Sequence, residues 1–130
     1  MAELDYAFLA DYAAVEGGKL NVLGASFTQI HTAAVPAQQQ LYIAGRIRGS
    51  IATPVAQLKI SITPPDETFQ LDGVLDITSE GQEPYFEDKV GILFAVGLQI
   101  PLTSSGLYTV RIGLDEVESR ILKFTVQVGE

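Results

Sequence analysis

The sequence predicts an all-β protein, an antiparallel β-sandwich of about eight strands in a single domain spanning residues 1–130. Three observations lead there. Apolar residues recur with period two along most of the chain, the pattern of strands that bury one face. The spacers between these runs carry turn chemistry, as in Glu16-Gly17-Gly18, Pro64-Pro65-Asp66-Glu67 and Thr103-Ser104-Ser105-Gly106. No window carries a helical apolar stripe.

In chain order, the first segment covers residues 4–14. It alternates Tyr6, Phe8, Ala10 and Tyr12, taken as the inner face, with Asp5, Ala7, Leu9 and Asp11. Its alanines would suit a helix, but the aromatic-acidic alternation and the Gly17-Gly18 that follows favour a strand and a tight hairpin, because glycine supplies positive φ without strain. Residues 19–30 begin with Leu20, Val22 and Leu23 and then turn irregular. Leu41, Ile43, Gly45 and Ile47 oppose Tyr42, Ala44, Arg46 and Arg48. Ala56, Leu58, Ile60 and Ile62 oppose Gln57, Lys59 and Ser61. Phe69, Leu71, Gly73, Leu75 and Ile77 share one face of the clearest strand. Residues 90–100 are apolar on both faces, as in a strand covered on both sides. Tyr108, Val110, Ile112 and Leu114 point inward in the next strand, and Leu122, Phe124, Val126 and Val128 in the last.

Composition bounds the function. The 130 residues carry 8 Lys+Arg against 16 Asp+Glu, a formal charge of -8, with 47% apolar residues, one His and no Cys. The chain is long enough to bury a core without staples. Disulfides, thiolate metal sites and cysteine nucleophiles are excluded. Phosphate-driven nucleic-acid binding does not fit this charge. The acid-bearing Met1-Ala2-Glu3-Leu4-Asp5 does not fit a signal peptide. Residues 20–45 and 90–110 lack charge, but the second stretch has an apolar core of only about a dozen residues, short of the roughly 20 a spanning helix needs, so no membrane insertion is expected.

The opening LDYAFLADYAAVEGGKLNVLG, an LYIAGRIR-like third strand and the closing GLYTVRIGLDEVESRILKFTV resemble a family of small bacterial all-β proteins of unknown function. That resemblance implies a bacterial cytosolic β-sandwich and supplies no catalytic residues. The closing hairpin is also similar to the last strands of immunoglobulin-like and C2-like sandwiches, in which a Gly-x-Tyr places a tyrosine at a strand corner and its hydroxyl caps upstream backbone. Gly106 and Tyr108 match that pattern, which implies a structural role for both.

The catalytic inventory is thin. His31 is the only histidine; Ser26 and Asp11 are its conceivable partners, but no Gly-x-Ser-x-Gly context surrounds a serine. No enzyme activity and no cofactor are expected. In a simple up-and-down succession of strands, alternate loops fall at one end, collecting Glu16, Glu80, Glu83, Glu87, Asp88, Asp115, Glu116 and Glu118. Of these, Glu83, Glu87, Asp88, Asp115, Glu116 and Glu118 are weak candidate ligands for a hard cation such as Ca²⁺, which wants oxygens from several loops. The Asp-x-Asp pairing of calcium-binding C2-like loops is missing, and an ordinary solvated acidic end explains the same residues.

The apolar surplus is more informative. Ala7, Leu9 and Ala13 on the first strand, with Leu93 and Ala95 on the sixth, fall on supposed outer faces, and a soluble monomer seldom leaves such a patch open. A homo-oligomeric or partner-protein interface is expected there, unless residues 29–40 or 79–89 fold over it. Tyr85 and Phe86, between Pro84 and Glu87, either tuck over the open end of the core or stand out as a docking knob. The functional expectation is therefore a non-enzymatic protein-binding or self-assembling module, the alternative being a small-ligand or Ca²⁺-binding sandwich that uses the acidic end.

Overall fold

The computed structural model describes residues 2–50, 55–78 and 83–129. Among them are ten strands and no helix: β1 (Glu3–Ala10), β2 (Tyr12–Glu16), β3 (Lys19–Leu23), β4 (Gln29–Thr32), β5 (Ala37–Ser50), β6 (Val55–Thr63), β7 (Leu71–Thr78), β8 (Lys89–Leu102), β9 (Gly106–Leu114) and β10 (Val117–Val128). A three-stranded sheet has the order β1-β5-β8, a five-stranded sheet the order β4-β10-β9-β6-β7, and β2-β3 form a separate hairpin. All pairs are antiparallel except β4 with β10. Leu41, Ile43 and Ile47 of β5 and Phe94 of β8 meet Leu58 and Ile62 of β6 and Val110 and Ile112 of β9 in one buried cluster. The molecule is thus the antiparallel sandwich that the alternation predicts, and the inward faces of β5, β6 and β9 are those read from the sequence. Among the described residues no helix is long and apolar enough to cross a membrane.

The first segment departs from expectation twice. It is two strands, broken at Asp11, whose backbone N–H donates to the carbonyls of Leu23 (3.1 Å) and Gly24 (3.2 Å). The chain then turns through Gly17 (φ 58°) and Gly18 (φ 73°), the two consecutive positive φ values of a type I′ hairpin. The resulting β2–β3 hairpin packs on β5 and β8.

The second departure is a bulge. Leu4 pairs with Ile47, but Tyr6 pairs with Arg46, so Asp5 is an extra residue in β1. One extra residue exchanges the faces of everything that follows it. Ala7 and Leu9, expected on the outer face, therefore point into the main core at 8% and 3% exposure. Tyr6 and Phe8, expected inside, lie opposite Arg46 and Ala44 on the outer face, their rings stacked 6.3 Å apart.

The tyrosine corner is present. Tyr108 is fully buried, and its hydroxyl donates to the Ser104 carbonyl (2.9 Å) while accepting from the N–H of Thr103 (3.2 Å) and of Ser104 (3.4 Å). Gly106 holds φ 126°, a value that side chains rarely adopt, and so lets the chain turn between the capped loop and β9. The Tyr108 ring stacks on Phe124 at 5.2 Å and 12°, tying β9 to β10.

Candidate functional site

The outer face of the three-stranded sheet is where the sequence predicts a partner. Ala7 and Leu9 are excluded from it by the bulge, since core side chains cannot touch a partner. The rest of the predicted patch is largely covered by the chain itself. Ala10, Ala13 and Ala44 are buried in a second cluster, with Phe8, Leu20, Val22, Tyr42 and Ala95 packed around them. The cover is the β2–β3 hairpin, not the segment 29–40; residues 79–82 lie outside the described residues. Small residues on β1, β5 and β8 thus serve close approach of the chain's own hairpin. Leu93 is half-buried beside Arg46.

Tyr85 and Phe86 stand out, 56% and 57% exposed. A tight turn holds them against the start of β8: Tyr85 N–H donates to the Lys89 carbonyl (3.0 Å), and Lys89 N–H to the Phe86 carbonyl (2.8 Å). Arg46 lies between two rings, its guanidinium carbon 5.4 Å from the Tyr6 centroid and 5.9 Å from that of Tyr85. Its Nε donates to Asp5 Oδ2 at 2.8 Å, and this hydrogen bond, with the Asp5 charge, holds Arg46 above its ordinary pKa. Arg48 donates to Glu3 at 2.6 Å. Arg46 and Arg48 thus form cross-strand ion pairs with Asp5 and Glu3 of β1.

Four of the six candidate ligands, Asp88, Asp115, Glu116 and Glu118, have structural partners. The β9–β10 turn puts Asp115 at φ 51° and Glu116 at φ 69°, a strained choice for non-glycine residues. It is held by β6: Asp115 N–H donates to the Gln57 carbonyl, and Gln57 N–H donates back to Asp115 Oδ1, both at 2.9 Å. Lys59 Nζ donates to Glu116 at 2.6 Å, which lowers the Glu116 pKa. Arg111 pairs with Glu118 at 3.3 Å. Ser50 donates to Asp88 at 2.8 Å, and that hydrogen bond lowers the Asp88 pKa. Glu83 and Glu87 are exposed, Glu80 lies outside the described residues, and Glu16 sits beside the hairpin turn. Among the described residues no three His, Asp or Glu side chains are placed to hold a metal ion. His31 is exposed on β4, and its imidazole makes no hydrogen bond or ion pair with them.

One feature escaped sequence reading because it depends on strand register. Arg111, Ser61 and Asp72 lie in one row across β9, β6 and β7, and Gly113, Lys59 and Val74 in the next. Together they line an open groove of about 480 Å³. Lys59 and Arg111 are already neutralised by Glu116 and Glu118, so the groove offers no free cation among them.

The other such feature is the edge of β8. It pairs with β5 on one side, in unbroken register from Ser50↔Lys89 to Ala37↔Leu102, and among the described residues with no strand on the other. In an antiparallel pair, alternate residues direct both N–H and C=O to the same side. Lys89 uses both groups away from β5, on the Tyr85–Phe86 turn. Pro101, which has no N–H to give a ladder, falls in the same set. The edge-facing set is therefore Gly91, Leu93, Ala95, Gly97 and Gln99, and no described residue forms a backbone hydrogen bond to them outside the β5 ladder. The other outer edges of the two larger sheets are guarded. β4 has four residues; β7 carries Asp72 and Asp76; the Leu9 carbonyl of β1 accepts from Ser26 N–H at 2.6 Å. β8 carries no charge from Val90 to Leu102, so it lacks the charged residues that usually guard an edge.

These features define an antiparallel β-sandwich with a buttressed acidic end and one long uncharged edge. The chain belongs to a family of unknown function, DUF6941, whose profile matches residues 5–127. No curated protein matches the sequence.

Proposed function

We propose that this chain is a non-enzymatic interaction module that assembles with itself or with a partner protein through the free edge of β8. The observation that carries the reading is that edge: fourteen residues long, without charge from Val90 to Leu102, and with the outward backbone groups from Gly91 to Gln99 unbonded by any described residue. An added strand satisfies such groups at once, and neighbouring side chains supply selectivity. The exposed Tyr85 and Phe86 border the same strand and extend the contact. Residues Leu93 and Ala95 belong to this surface; Ala7 and Leu9 do not. The alternative use of the acidic end for Ca²⁺ or a small ligand gains no support, because Asp88, Asp115, Glu116 and Glu118 are engaged with the protein's own donors and cations. The cytoplasmic setting implied by the family resemblance belongs to the same proposal.

The test uses paired baits, the wild-type protein and Gln99→Pro. Gln99 is exposed and its N–H faces the edge, so proline there removes a docking group and leaves the β5 ladder intact. The reading predicts proteins, including differently tagged copies of the chain, that the wild type retains and the variant loses. Identical retention on both baits contradicts it.

A further inference from the structure

We infer that the occupant of the β8 edge is β8 of a second copy, paired antiparallel about a two-fold axis at Ala95, so that two three-stranded sheets join into one of six strands. This rests on the reading of the edge as the binding surface and goes on to name the partner.

The argument is a self-complementarity within β8. Two edge groups are unusable: those of Lys89 are taken by the Tyr85–Phe86 turn, and Pro101 has no N–H. Lys89 and Pro101 lie six residues either side of Ala95. When β8 meets its own copy with Ala95 opposite Ala95 of the second copy, Lys89 of each falls opposite Pro101 of the other. The two impaired positions meet, so that only the Pro101 carbonyl is left to water, and every position between them finds a match: Leu93 faces Gly97 of the second copy, and Gly91 faces Gln99. In any other register a free N–H or C=O is set against Lys89, Pro101 or open water, at the cost of a missing bond.

The side chains agree with this register. On the outer face, a large residue meets an absent one, Leu93 against Gly97 of the second copy. Gly97 itself lies under the Tyr42 ring, where a Cβ would stand 2.8 Å from Cε2, so the arriving leucine meets an aromatic surface. On the inner face, Ile92, Val96 and Leu98 pack on the core yet are only half-buried, because the sheet ends there. The same register sets Ile92 against Leu98 of the second copy and Phe94 against Val96, which continues the core across the axis. Tyr85 and Phe86, held at Lys89, come to lie near Pro101 of the second copy. Charge points the same way. Two chains of net charge -8 repel, and the uncharged β8 edge is where they can approach at least cost. A second copy is also the one partner for which a symmetric, closed contact follows from a single strand.

The test combines sedimentation equilibrium with one cysteine. The natural chain has none, so Ala95→Cys is the sole thiol. Its Cα should stand about 5.5 Å from that of its mate, within the roughly 4.4–6.8 Å that a disulfide spans. We expect the wild type at micromolar concentration to sediment at twice the 14.0 kDa chain mass, and oxidised Ala95→Cys to run as a covalent dimer. Gln99→Lys, at an exposed position, should weaken association at least tenfold, because it adds a cation beside Gly91 and Arg46 of the second copy. Gln127→Lys on exposed β10 makes the same charge change elsewhere and should leave association unchanged. A wild-type dimer that does not cross-link at residue 95 and ignores Gln99→Lys overturns the inference. A strictly monomeric wild type also overturns it; if the paired baits still differ, a strand of another protein occupies the edge and the functional reading survives.

Discussion

Replacing Tyr108 with phenylalanine isolates one hydroxyl whose work is fully specified. The hydroxyl donates one hydrogen bond, to the Ser104 carbonyl, and accepts from two backbone N–H groups, one of them long at 3.4 Å. The ring is completely buried, and phenylalanine keeps its stack on Phe124. Each bond of this kind contributes about 1 kcal/mol net, and backbone partners left unsatisfied add to the loss. Tyr108→Phe should therefore cost about 2 kcal/mol. For a chain of this length that is a fall of roughly 7 °C in the melting midpoint. Urea unfolding followed by circular dichroism gives the figure directly, with the denaturant slope unchanged because the same surface is buried. Ser104→Ala is the contrast. Ser104 Oγ is buried without a hydrogen-bond partner among the described residues, so its removal should be neutral or slightly stabilising. A Tyr108→Phe loss below about 0.5 kcal/mol, or equal losses in the two variants, would refute the capping role.

Two further substitutions probe the bulged strand and the acidic turn. Gly45→Ala places a Cβ that overlaps the Tyr6 carbonyl oxygen and stands 2.9 Å from Ala7 Cα; backbone cannot swing aside, so a loss of about 3 kcal/mol is expected in urea unfolding, at the upper end of overpacking, and a loss under about 1 kcal/mol would mean that β1 is not fixed against β5 as described. Glu116→Gln tests the Lys59 ion pair through pH. A carboxylate whose pKa is lowered on folding from 4.5 contributes stability above that value and loses it as pH falls through the lowered pKa. The wild type should melt above the variant at pH 7, with the gap closing on acidification; a gap that persists unchanged below the carboxylate range contradicts the pairing.

Much of the architecture was legible because period-two alternation reports burial directly. β5, β6 and β9 bury Ile43, Leu58 and Ile112 as their patterns require, and the Gly-x-Tyr of the closing hairpin marks the tyrosine corner. β1 was misread for a definite reason. Leu4, Tyr6 and Phe8 alternate faultlessly, and only pairing with β5 reveals that Asp5 is an extra residue that inverts the phase. The price of that inversion was a false interface built on Ala7 and Leu9. The apolar surplus was real, but part of it belongs to the β2–β3 hairpin, whose fold-back starts at a single aspartate that local pattern could not mark as a break. The acidic end was seen as a charge cluster; that Asp115 and Glu116 hold a strained turn against Gln57 and Lys59 depends on a register between β6 and β9 no sequence window contains. The free edge was equally hidden. Uncharged residues 90–100 read as a strand covered on both faces, and only strand order shows that one side ends the sheet.

Residue-resolved amide hydrogen exchange of the wild-type protein, recorded across a dilution series, tests the account most directly. Ile92, Phe94 and Val96 donate toward β5 and should exchange slowly at every concentration. Leu93, Ala95 and Gly97 face the open edge; they should exchange quickly in dilute protein and become protected as concentration rises. If the two sets show no alternation, or if the edge-facing amides stay unprotected at every concentration, the β8 edge is not where this protein meets its own copy.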